Sequence, residues 1–187
     1  MREANASRNR SGARLPARHY FWGGAHVRVL SSLCVALAVS YCAPASADER
    51  RNFFNDPFVQ VTGGLKACPI PAGPLFSDQE ARAEEHARSQ RGVSCHLAGR
   101  CRLPNAYLYD REIIPRVVKA IHADGRFGGT SIWVYGQRRW VWLQGCVGSS
   151  SESEELERMV RNIDDVEAVI NELSVGVAVR PRYEVAQ

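Results

Sequence analysis

Hydrophobic and polar positions alternate most regularly between Ser131 and Val147, SIWVYGQRRWVWLQGCV. Ile132 and Val134 interleave with Trp133 and Tyr135; Val141, Leu143 and Val147 interleave with Trp140, Trp142, Gln144 and Cys146. A period of two predicts two strands. The intervening Gly136-Gln137-Arg138-Arg139 supplies the turn of a hairpin, with Gly136 free to take a positive φ. One face of this hairpin is aliphatic and the other aromatic, so each needs its own cover.

A period near four follows on both sides. Ile113, Val117 and Ile121, flanked by Ile114 and Val118, predict an amphipathic helix over Asp110 to Ala123, with Asp110 as N-cap and Asp124-Gly125 as stop. Pro115 lacks an amide hydrogen, which predicts a kinked first turn or a later start. Turning each position by 100° places Arg111, Arg116, Lys119 and His122 on the outward side. After the hairpin, Leu156, Met159, Val160 and Ile163 form a second stripe, and Ser151 with Glu154 reads as its capping box. The acids of its first turns suit the helix dipole and require no catalytic explanation. A third strand is predicted over Ala168 to Val175. The order is helix, strand, strand, helix, strand: an α+β fold with two amphipathic helices on one face of a small three-stranded mixed sheet. The helices meet the aliphatic face.

The residues before this core, 48–108, read as an N-terminal extension. Asp48 to Phe76 is rich in Gly, Pro and short apolar clusters, which predicts irregular chain pinned to something else. Ser77 and Glu80 form a capping box for a polar helix over 77–90, a surface element with only Ala81, Ala83 and Ala87 to bury. Arg91 to Leu108 reads as a loop. Phe53, Phe54, Phe58 and Val61 are the expected cover for the aromatic face. If that face is instead open, Trp133, Trp140 and Trp142 become surface contacts. Residues 177–187 carry little pattern and read as a tail.

Charge changes the picture only at the N-terminus. The chain carries a net charge of +4, but residues 1–47 hold six arginines and one acid, leaving the remainder slightly acidic. The basic balance therefore argues for no nucleic-acid partner. Arg28 is followed by the apolar run VLSSLCVALAVSY and then Ala45-Ser46-Ala47, a secretory pattern too short to span a bilayer, with cleavage expected after Ala47. Cys34 and Cys42 would leave with it. Cys68, Cys95, Cys101 and Cys146 remain, an even count that points to disulfides in an exported chain, with three connectivities open. Cys146 alone lies in the hairpin, so if all four pair, its partner is in the extension. His86, Cys95, His96 and Cys101 fit no tight metal-ligand spacing, and no metal or cofactor is expected. The histidines sit in no nucleophile elbow, HExxH or phosphate-loop context, and an exported cysteine beside a histidine is expected to be oxidised. A binding role is expected rather than catalysis.

Residues 110–175 resemble a BON domain. DREIIPRVVKAI is similar to its first helix, WVWLQGCV to its strand closed by a glycine (Gly145), and LERMVRNIDDVEAVINELSV to its second helix and closing strand. Two departures stand out: Asp165 replaces the usual glycine before the valine, and the tryptophans are atypical. The resemblance implies a non-enzymatic periplasmic protein that binds an anionic phospholipid surface and supports the cell envelope. It places lipid contacts on the first helix and nearby loops, here Arg111, Arg116 and Lys119, with Arg138 and Arg139 at the hairpin tip and Trp133, Trp140 and Trp142 as further candidates. The alternative is docking to other envelope proteins through the extension.

Overall fold

The computed structural model describes residues 49–187, which lie within the compact unit Ala45–Gln187. The expected secretory segment, its cleavage point and Cys34 and Cys42 lie outside the described residues. The elements are β1 (Phe58–Gln60), α1 (Asp78–Leu97), α2 (Asp110–Asp124), β2 (Ser131–Gln137), β3 (Trp140–Val147), α3 (Ser150–Arg161) and β4 (Ala168–Val175). Short 3₁₀ turns at Ala106–Tyr109 and Arg126–Gly129 flank α2. The sheet order is β1-β2-β3-β4, antiparallel except for the parallel β3–β4 pair, which α3 connects as a crossover.

The α+β class and the mixed sheet agree with the pattern, but among the described residues the sheet has four strands and the helices number three. The fourth strand, β1, comes from the extension, where only irregular chain was expected. It is three residues long and follows Pro57, so no alternation could announce it. Its existence depends on pairing with β2, where Val59 faces Val134.

The aliphatic face is covered as expected. Ile132, Val134, Val141, Leu143 and Val147 are fully buried against Ile113, Val117 and Ile121 of α2 and Leu156 and Val160 of α3. Near β3's end, Gly145 has φ 124° and a Cβ there would lie 2.0 Å from the Ser131 carbonyl oxygen. Only glycine fits.

Four local expectations are corrected. Asp110 does not cap α2: the 3₁₀ turn runs directly into the helix, and the N-cap is Tyr109, without a side-chain bond. Pro115 neither delays nor divides α2, which runs as one helix from Asp110. The cap of α3 is Ser149, whose hydroxyl accepts the Glu152 amide while the Glu152 carboxylate accepts the Gly148 amide, two residues ahead of the expected box. The turn's positive φ angles belong to Arg138 and Arg139, at 57° and 68°, not to Gly136. Gly136 is needed for a different reason: a Cβ there would come 2.9 Å from Ile114 of α2.

Helix α1 starts at the expected capping box, with Ser77 and Glu80 bonded reciprocally, but continues past residue 90 to Leu97. Gly92 is no break, because its missing side chain makes room for Asn105. The helix is also no mere wet surface. Arg88, 9% exposed, grips Asp56, 5% exposed, through both guanidinium nitrogens and lies 3.9 Å over the Phe54 ring. A buried ion pair joins α1 to the chain just before β1, where a solvated face was expected.

The disulfides are Cys68–Cys146 and Cys95–Cys101. The first ties extension to hairpin, as the position of Cys146 required. It lies with Trp133, Leu65 and Phe58 in a small second core on the aromatic face. The tail closes over the same end: Tyr183 donates to the Pro69 carbonyl at 2.8 Å, and Val185 bridges to Pro71.

Candidate functional site

Helix α2 is apolar over more than the arc that meets the sheet. Beyond the stripe of Ile113, Val117 and Ile121, the positions Ile114, Pro115 and Val118 turn toward β1. Pro57, Phe58 and Val59 face them across an open groove of about 910 Å³. Arg111, Lys119, His122 and Ala123 also line it, and among the described residues the lining contains no carboxylate. His122 donates from Nε2 to the Val61 carbonyl at 2.9 Å, fastening α2 to the segment that follows β1.

The eight side chains singled out in the sequence do not come together. Arg111 and Lys119 border the groove, both exposed, and among the described residues neither has a carboxylate within ion-pair distance. Arg116 turns away. Its Nε donates to the Glu112 carbonyl and its terminal nitrogen to Asp165 at 3.0 Å. Arg102 joins the same cluster, pairing with Glu112 and lying 3.5 Å from Asp165. Arg139 donates to the Asp165 carbonyl at 2.9 Å, reaches Cys101 Sγ at 3.2 Å and lies 5.2 Å over the Tyr109 ring. Arg116 and Arg139 are thus engaged in holding the fold.

The others lie on the far side of the sheet. Trp133 is 6% exposed beneath the Cys68–Cys146 bridge. Trp142 is half-buried and stacked on Tyr135 with ring centroids 4.5 Å apart, and Trp140 is tilted against Trp142 at 6.1 Å. Arg138 lies 4.7 Å over the Trp140 ring. Burial pushes the Tyr135 hydroxyl above its ordinary range.

Asp110 links the hairpin tip to α2. It is 1% exposed, and its two carboxylate oxygens accept the amides of Arg138 and Arg139 at 2.7 Å each. These bonds hold two arginines in a left-handed turn that glycine or asparagine would adopt more readily. Burial pushes the Asp110 carboxyl up to about 7, against the opposing pull of the two amide donors.

Sequence reasoning missed the wall Pro57-Phe58-Val59 and the anchoring role of His122. The available signal was the width of the α2 stripe, since Ile114 and Val118 exceed what one sheet face requires. Among the described residues no group of three or more His, Cys, Asp or Glu side chains could hold a metal.

Residues 109–177 match the model of the BON domain family, from the start of α2 through β4. Over these residues the chain is similar to a BON domain. No curated protein and no solved structure matches the chain. BON domains are binding modules associated with phospholipid membranes and the bacterial envelope, not catalysts. Asp165, which stands where the family has glycine, has φ 70°, a conformation that explains the usual glycine. The strand β1 and the groove wall it supplies lie outside the BON match. Among the described residues, no helix is long and apolar enough to cross a membrane.

Proposed function

We propose that this is a non-enzymatic, exported envelope protein that binds anionic phospholipid surfaces through the groove side of α2, with Arg111 and Lys119 as the lipid-facing cations. The observation that carries this reading is an apolar groove bordered by two exposed cations that no carboxylate neutralises among the described residues. A cation near an anionic leaflet contributes about 1 kcal/mol, and apolar side chains at the same level add burial. Arg116 and Arg139 are assigned to the fold because their charges are already matched at Asp165 and its neighbours. In this reading residues 1–47 direct export and the domain works in the periplasm, facing such surfaces.

Flotation with vesicles tests the reading. The oxidised chain beginning at Asp48 is expected to float with vesicles containing phosphatidylglycerol, not with purely zwitterionic vesicles, and to be released by high salt. Reversing Arg111 and Lys119 together to Glu is expected to abolish flotation. The same reversal at Arg158 and Arg180, also exposed, changes net charge equally and is expected to leave most of it. Equal loss from both pairs would sink the assignment to α2; no binding by the unaltered chain would sink lipid binding altogether.

A further inference from the structure

The groove exists because α2 and β1 differ in length. A helix of fifteen residues extends about 22 Å, whereas a three-residue strand reaches only about 10 Å. Strand β1 covers part of the second apolar flank of α2 and leaves the rest open beside it. The volume, about 910 Å³, lies in the range of about 300–1,000 Å³ that holds single small molecules.

The lining also says what such a molecule must look like. It includes no hydroxyl, amide or carboxylate side chain. Its one imidazole already donates to the Val61 carbonyl. Away from Arg111 and Lys119 a polar ligand would therefore lose its water without finding partners, while an apolar chain would lose nothing. The unneutralised charges, Arg111 and Lys119, stand at the border. The complement of this arrangement is a flexible hydrocarbon with one anionic group at its end.

We infer that the groove takes one acyl chain of an anionic phospholipid, with the phosphate against Arg111 at the first turn of α2. This rests on the proposed lipid reading and goes further: the protein holds a single lipid molecule, and does more than adhere to a charged surface. Because β1 supplies one wall, the seat depends on the extension as well as on the BON-like domain. The acyl chain packs against Val59, Ile114 and Val118, and Ala123 marks the groove's end toward the last turn of α2.

The probe is a series of monoacyl phosphatidylglycerols of increasing chain length, titrated below their micelle concentrations. Each added methylene is expected to tighten binding about fourfold until the groove is filled. The monoacylglycerol without phosphate is expected to bind more weakly, since nothing then meets Arg111. Ala123→Trp, at an exposed lining position where the fold should tolerate it, is expected to reduce monoacyl binding at least tenfold while far-ultraviolet dichroism and the melting temperature stay unchanged. Val118→Phe provides a second obstruction nearer the middle. Affinity that is independent of chain length, with vesicle flotation intact, overturns the acyl seat and leaves the surface reading standing. Loss of flotation and of monoacyl binding together overturns both.

Discussion

The two faces of the sheet are built from the same strands and are held in different ways. On the aliphatic face, five side chains of β2 and β3 are fully buried under α2 and α3. Those helices flank the hairpin directly in sequence, so connectivity alone brings the cover to the surface it must cover. On the aromatic face burial is graded: Trp133 is buried, whereas Tyr135, Trp140 and Trp142 are only half-buried. Its cover comes from Leu65, Cys68 and the tail, far away in sequence, and a bridge with a separation of 78 residues ties it down. Distant cover costs more loop entropy, and a covalent link offsets that cost. A local face is made by pattern; a distant one needs anchors.

The largest expected effect breaks both faces at once. Gly145→Ala would place a methyl 2.0 Å from the Ser131 carbonyl oxygen in a backbone conformation closed to alanine. A loss of about 4 kcal/mol or more is expected, enough to prevent folding in a domain of ordinary stability. Soluble yield and urea denaturation check it, and a variant as stable as the parent would show that β3 relaxes at this point.

Separating the faces is the task of the disulfides. Replacing Cys68 and Cys146 by Ser is expected to cost about 4 kcal/mol, against about 2 kcal/mol for Cys95 and Cys101, whose separation is only 6 residues. Tryptophan emission should shift to the red only in the first variant, because Trp133 packs on that bridge alone. Equal losses, or a red shift in both, would contradict the division drawn between the faces.

A smaller effect concerns the hairpin tip, where α2 and the aromatic strands meet. Asp110 has a folded-state pKa raised to about 7 from an ordinary value near 3.8. Between these values the folded chain holds a proton that the unfolded chain has released. Raising the pH therefore removes stability through this window. From about pH 5 to 6.5 the parent should lose roughly 2 kcal/mol relative to Asp110→Asn, which does not titrate. A stability difference that stays flat, or grows in favour of the parent with rising pH, would show that the two amide donors outweigh burial.

Helices α2 and α3 and strands β2, β3 and β4 were legible because each buries one face over several periods, and the repeat is visible without knowing the partner. The BON resemblance lay in those same elements. Three features were not legible. The strand β1 is too short to show a period. Arg88 looks like any solvated helix residue until Asp56 and Phe54 close around it. The candidate cations of α2 and the hairpin tip were alike in sequence, and Arg111 and Lys119 separated from Arg116 and Arg139 only once Asp165 was seen among the latter.

The sequence by itself determined the α+β order, the two stripes, the aliphatic core and the need for a bridge between extension and hairpin. These follow from local periodicity and from the count of cysteines. Tertiary structure alone decided the cysteine pairs, the fourth strand, which charges are spent inside the protein, and the groove beside α2. Each of these is a relation between residues distant in the chain, fixed by which groups meet once the local elements have packed.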